Sequence, residues 1–221
     1  MDGPVNPDRG PGPGSGPGSE RLARAAAEAF AARGFHGTST RHVAAAAGMS
    51  PAALYVHHRS KEELLHALSL EGHRRVLALV REAASGADDP VAALGVLVER
   101  FVEHHATEHV SSRVVNYELA ALDDDHRAEV AALRHEIEET VRAVVRRGVA
   151  AGLFVTDDPD LSAAALLSLG VDVSRWYRPG GRWTPAEVAA HYRGLALAML
   201  GVSGRGPGPA TARASGTRRP T

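Results

Sequence analysis

The side chains with chemical reach in this sequence fall into a basic block, a histidine cluster and an acidic run. Between residues 19 and 61 stand Arg21, Arg24, Arg33, Arg41, Arg59 and Lys61, opposed only by Glu20 and Glu28. That is a local charge of +4 in a chain of 221 residues whose formal net charge is −1, and His36, His42, His57 and His58 lie in the same block. Cations gathered this way suit phosphate oxygens, and a solvated helix surface is the plainer account of the same charges. The cluster is His104, His105, Glu108 and His109. On a continuous helix His105 and His109 are four apart and would face one metal ion, or else line a solvated or pocket-facing surface. The acidic run is Asp123, Asp124 and Asp125; consecutive carboxylates diverge on a helix, so they are expected to cap one. There is no cysteine, which excludes disulfides, thiolate metal sites and a cysteine nucleophile. Nor is there a nucleophile elbow, a phosphate loop or a zinc-protease motif, so the chain is not expected to be an enzyme, and no cofactor is expected.

The elements that position these groups are helical almost throughout. Leu22, Ala26, Ala29 and Phe30 make an apolar stripe that Gly34 ends. A short helix is expected from Thr40 to Ala47, stopped by Gly48. Another is expected from Ser50 to His57, with Pro51 in its first turn, where a missing N–H costs nothing. Ser60 opens a long helix, with Glu63 placed for a capping box. Further helices are expected over about 89–105, 111–122, 124–151, 159–177 and 184–200. No strand and no repeat is expected. Residues 1–18 and 203–221 are rich in Gly, Pro and Ser and have no apolar periodicity, so both are expected to be disordered tails. No apolar run approaches the roughly 18 residues of a membrane span, and the N-terminus lacks a charged-then-apolar leader. A cytoplasmic chain without membrane contact is therefore expected.

Two short helices separated only by Gly48-Met49-Ser50 form a helix-turn-helix pattern. Ala44 is small enough for close approach, and Gly48 can take the left-handed backbone of a sharp turn. Val43, Ala47, Met49 and Leu54 are apolar where the two helices would lock. The second helix could then project as a rod into a major groove.

The run from Arg21 to Leu65 resembles the N-terminal domain of the tetracycline-repressor (TetR) family. Its marks are an apolar helix ending in Arg-Gly-Phe, then Thr-Ser-Thr-Arg, Ala-Gly-Met-Ser, Leu-Tyr-Val-His and Ser-Lys-Glu-Glu-Leu-Leu. The resemblance implies an all-α fold, with a DNA-binding domain over 19–65 and a helical ligand-binding and dimerisation domain over 66–202. It implies phosphate contacts for Thr40 and Arg41 and a recognition helix opened by Ser50, Pro51, Ala52 and Ala53. It also implies groove-facing roles for Tyr55 and His57, and a phosphate contact for Lys61. The chain departs from the family pattern at Pro51-Ala52-Ala53, where polar residues often stand, and at His58, where an apolar residue usually packs. Base hydrogen bonds are thus expected to be sparse, with thymine methyls and DNA shape contributing more.

What the resemblance implies about partners is a palindromic double-stranded operator, a second copy of the chain and a small-molecule effector. The expected outcome is repression relieved by that effector. The last two long helices would pair with those of the partner. The effector would lie among the central helices, with Phe101, His105, Asn116, Tyr117 and Trp176 as candidate contacts. VVNYELAAL and SRWYRPGGRWTPAEVAAHY resemble members of the family that respond to acyl-coenzyme A thioesters, and Arg175, Arg178 and Arg182 would face the coenzyme phosphates. The alternatives are a helical adaptor that binds ligand without DNA, or an enzyme. Retention of Thr40, Tyr55, His57 and Lys61 argues against the adaptor.

Overall fold

The computed structural model describes residues 17–202, so the expected tails lie outside it except for Pro17 and Gly18, which already belong to the first helix. The described chain is all helical: α1 (Pro17–Arg33), α2 (Thr40–Ala46), α3 (Pro51–His57), α4 (Lys61–Ser85), α5 (Pro90–Thr107), α6 (His109–Tyr117), a 3₁₀ turn (Leu119–Ala121), α7 (Asp124–Ala150), α8 (Pro159–Trp176) and α9 (Pro185–Met199). None of these is long and apolar enough to cross a membrane.

Short polar side chains start the helices. Ser39, Ser50, Ser60, Asp89, Asp123, Asp158 and Thr184 each accept a hydrogen bond from a backbone N–H in the first turn, filling donors that the helix itself leaves open. Asp123 is thus a cap, as its position in the acidic run suggests, while Asp124 and Asp125 sit exposed in the first turn of α7. The expected box at Ser60 closes differently: Glu63 Oε2 accepts from the Arg59 N–H at 2.6 Å rather than from Ser60. At Thr184 and Glu187 the box is complete.

The turn between α2 and α3 depends on Gly48, at φ +68°. The Met49 N–H reaches back to the Ala44 carbonyl at 2.8 Å and the Gly48 N–H to Ala45 at 3.1 Å, the paired bonds of a left-handed helix stop. Val43, Ala44 and Leu54 are fully enclosed beside it.

Two cores result. The first gathers Leu22, Ala26, Phe30, Phe35, Val43, Leu54, Leu64 and Leu65, and it also draws in Val114 from α6, Leu122, and Val130 from α7. The second runs from Val76 to Leu200, with α5 packed chiefly on α9 and α4 on α7. Helices α4 and α7 contribute to both, and so connect the helix-turn-helix to the rest.

Candidate nucleic-acid interface and effector cleft

Helix α3 shows its apolar underside to the core through Leu54 and its other faces outward. Pro51 and Ala52 are exposed, Ala53 is half-buried, Tyr55 is 49% exposed and Val56 82%. Ser50 caps this helix through the Ala53 N–H at 3.1 Å. Thr40 opens α2, and its Oγ1 lies 3.1 Å from the Tyr55 hydroxyl, joining the two short helices across their exposed side. Arg41 is exposed beside it. His57 is the last residue of α3. Thr40, Arg41, Ser50 and Tyr55 therefore share one end of the molecule with the exposed start of α3. Val56 belongs with them. An exposed valine on a seven-residue helix is visible only once the helix has been oriented against its core.

Lys61 is placed otherwise. Its Nζ donates to the carbonyls of Phe35 at 2.7 Å and Thr38 at 2.8 Å, and lies 4.2 Å from the centre of the Phe35 ring. In the chain without DNA it holds the loop after α1 against the start of α4.

The five expected effector contacts separate. Phe101 and His105 are buried in the second core, and the His105 Nδ1–H is held by the Phe101 carbonyl at 2.8 Å. Asn116 is half-buried; it donates to the Ser112 carbonyl and accepts from Arg134 at 3.0 Å. Tyr117 lies in the open, its hydroxyl 3.5 Å from Asp172 and its ring under the Arg175 guanidinium at 5.2 Å. Trp176, partly exposed, sits by Tyr177 at the end of α8.

Tyr117 and Arg175 do line a cleft. It holds about 320 Å³ between α1, α6 and α8, and Phe30, Ala31, Gly34, Arg113, Val114 and Glu118 complete it. Arg113 also donates to the Ala31 carbonyl at 2.5 Å, at the end of α1. No sequence spacing marks Arg113, because its partner lies 82 residues away.

The histidine cluster does not make a shared face. Helix α5 ends at Thr107 and α6 begins at His109, so the chain turns at Glu108 between the two rings. His105 bonds the Phe101 carbonyl of its own helix, and His109 bonds the Ala106 carbonyl back across the turn. Burial instead gives two of the internal histidines a low pKa. His73 is brought down to about 4, with the Ser69 carbonyl partly offsetting that effect and Arg134 adding to it. His105 is likewise brought down to about 4, chiefly by burial.

Two family models match the chain. One described as bacterial regulatory proteins, tetR family, covers residues 22–68, and one described as the tetracyclin repressor-like C-terminal domain covers residues 87–200. The transcriptional repressor KstR2 of Rhodococcus jostii is 31% identical over 174 residues, 78% of this chain and 85% of that protein. A bacterial regulatory protein in the tetR family from Rhodococcus RHA1 superposes with a TM-score of 0.79 at 39% identity, over 84% of this chain and 98% of that one. AibR, solved in complex with isovaleryl coenzyme A and operator DNA, superposes with a TM-score of 0.70 at 25% identity, over 79% of this chain and 97% of the other.

Proposed function

This chain belongs to the TetR family of bacterial regulatory proteins, and from that we propose a dimeric repressor that an acyl-coenzyme A releases from a palindromic operator. It is a DNA-binding transcriptional regulator, and we assign the reading of DNA to residues 19–65 and the sensing and pairing to residues 66–202. The observation that carries the reading is the exposed, locked pair of α2 and α3, held by Gly48 beneath and by Thr40 and Tyr55 above.

In the proposed docking, α3 enters the major groove by its Ser50 end, and Thr40 and Arg41 meet the flanking phosphates. Pro51, Ala52 and Val56 bring methyl and methylene groups to the base edges, which suits thymine methyls. Tyr55, bonded to Thr40, stands at the groove wall, and His57 is assigned a role in the same contact. Lys61 joins the phosphate contacts by exchanging a carbonyl partner for a phosphate oxygen.

Dimerisation is assigned to α8 and α9. Leu161, Leu169 and Trp176 recur along one side of α8 and stay exposed, Leu161 at 67%, as do Leu195 and Met199 on α9. The sequence stripe of α9 runs Val188, Tyr192, Leu195, Met199. Val188 is buried within the chain and Tyr192 half-buried, so the outer part of the stripe is left for a partner. Two such palindromic faces suit an isologous contact.

The proposed effector class draws support from the cleft and from the similarity to AibR, whose complex contains isovaleryl coenzyme A. Arg113 and Arg175 place two guanidiniums at the cleft between α1 and α8, a pairing suited to phosphate oxygens. Arg113 is already bonded to the end of α1, and its neighbour Val114 is buried in the first core. A phosphate that takes Arg113 away from the Ala31 carbonyl favours a different seating of α1 on α6. Operator affinity then falls by the ratio of the effector's affinities for the two seatings. The regulator acts in the cytoplasm and carries no catalytic step.

The test is fluorescence anisotropy with DNA from upstream of the chain's own gene, over a salt series and against scrambled competitor, followed by a panel of acyl-coenzyme A thioesters. Competitor-resistant binding that an acyl-coenzyme A weakens is expected. Arg113→Met is expected to keep DNA affinity within a few-fold while losing most of the response. If no genomic fragment binds beyond competitor level, the reading fails.

A further inference from the structure

We propose that Glu62, Asp123 and His126 form a site for a divalent transition-metal ion joining the first turn of α4 to the start of α7. The donors come from two distant parts of the chain and lie within 4.8 Å of one another. His126 Nδ1 is 2.9 and 3.0 Å from the two oxygens of Glu62 and 3.3 Å from Asp123 Oδ2. One imidazole nitrogen with two carboxylates is a mixed donor set. It suits Zn²⁺ or Co²⁺, whereas Mg²⁺ and Ca²⁺ favour oxygen alone.

The charges around these groups make a second argument. Among the described residues the ion pairs of Glu62 and Asp123 are to His126, and no lysine or arginine pairs with either. Elsewhere in the fold Glu82, Glu99, Glu136, Glu138 and Asp160 each meet an arginine. The cations next in sequence are committed away from the site: Lys61 to the Phe35 and Thr38 carbonyls, and Arg127 to Asp124 and the Leu122 carbonyl. Two carboxylates at a partly enclosed helix junction thus share one imidazole, and a doubly charged ion matches them.

The ring of His126 is also held in place. His66, on α4, stacks on it with centroids 3.6 Å apart and planes 11° from parallel, and His66 Nε2 lies 3.1 Å from Glu129. The stack fixes the ring plane and the N-cap geometry fixes Asp123, so the site needs little ordering to accept an ion. An ion there would tie α7 to α4 one residue from Lys61, at the junction of the two cores.

The experiment titrates the chelator-stripped full chain with Co²⁺, then Zn²⁺, with Mg²⁺ as the control. One Co²⁺ per chain is expected, with visible absorption that Zn²⁺ displaces and Mg²⁺ does not. Zn²⁺ should also raise the melting midpoint by several degrees. Glu62→Gln, Asp123→Asn and His126→Gln should each weaken binding more than about tenfold, while His104→Gln leaves it unchanged. That last control matters because the chain carries 12 histidines. No Co²⁺ binding by the wild-type chain would overturn the site, as would Glu62→Gln binding like wild type. If His126→Gln loses its helical circular dichroism, Glu62→Gln and Asp123→Asn decide, since both keep shape and hydrogen-bonding capacity. DNA plays no part in the readout, so this result stands apart from the operator test.

Discussion

Lys61 holds a loop with the same ammonium that is proposed to meet a phosphate. Its two carbonyl acceptors, Phe35 and Thr38, belong to the loop between α1 and α2, the second being a buried residue whose own hydroxyl bonds Ala29 and Gly34. Lys61→Met keeps the stem over Phe35 but leaves both acceptors without that partner, at a cost of about 1–3 kcal/mol. A lower melting midpoint in the absence of DNA is therefore expected; an unchanged midpoint with weaker operator binding would mean that its role is confined to phosphate. The buried histidines set a pH dependence. His73 and His105 ionise near 4 in the folded chain against 6.5 when unfolded. Between those values the unfolded chain binds protons that the native chain refuses. Stability is therefore complete above pH 6.5 and declines as pH falls toward 4, by on the order of 3 kcal/mol for one such residue. His126 has the opposite sign, because its bond to Glu62 raises its pKa, and its contribution is present below 6.5 and lost as pH rises through the folded value. Thermal melts from pH 7 to 5 should show the decline, and His105→Phe should flatten it.

At the scale of the helices, close approach decides more than propensity does. A Cβ on Gly170 would stand 2.6 Å from the Phe101 ring, so Gly170→Ala has to push α8 away from α5. A loss of about 1–3 kcal/mol is expected from such overpacking, measured by urea unfolding. Thr184→Ala, which removes one half of a complete capping box, is expected to cost about 1 kcal/mol in the same assay. The caps also explain how much of the fold was legible in the sequence. Ser50, Ser60, Asp123 and Thr184 act over three residues, so local spacing reveals them, and Gly48 with Ser50 fixes the turn of the helix-turn-helix. The break at Glu108 lies in the gap between the helices expected over 89–105 and 111–122, but only the structure shows that it turns an apparent i, i+4 histidine pair into two separate rings. The start of the DNA-facing helix could be read from the order of its motifs. The cleft could not, since Arg113 reaches α1, and Arg175 comes to line the same cleft, only through tertiary packing. Phe101 and His105 have the bulk and polarity of effector contacts, and the same properties serve a sealed core.

For the molecule as a whole, the apolar side of α8 and α9 is the feature that a single chain does not satisfy. Leu169→Glu with Leu195→Glu would place two charges in the proposed dimer contact, and a monomer by size exclusion with multi-angle light scattering is expected. Operator affinity should fall by more than tenfold in the same variant, and its salt dependence should become shallower as the phosphates of one half-site are given up. A dimer that persists would move the contact elsewhere. The short α3, whose outward residues include Pro51, Ala52 and Val56, has a consequence for the cell. A bidentate amide or guanidinium contact rejects a wrong base by about 1–3 kcal/mol, and a methyl group rejects less. Against roughly 10⁶ or more competing genomic positions, a chain that reads bases through α3 as proposed would locate its operator through the number of copies in circulation as much as through the fit of any one copy. The abundance of the regulator thereby becomes part of its address, and a gene that encoded it under its own operator would be setting that address for itself.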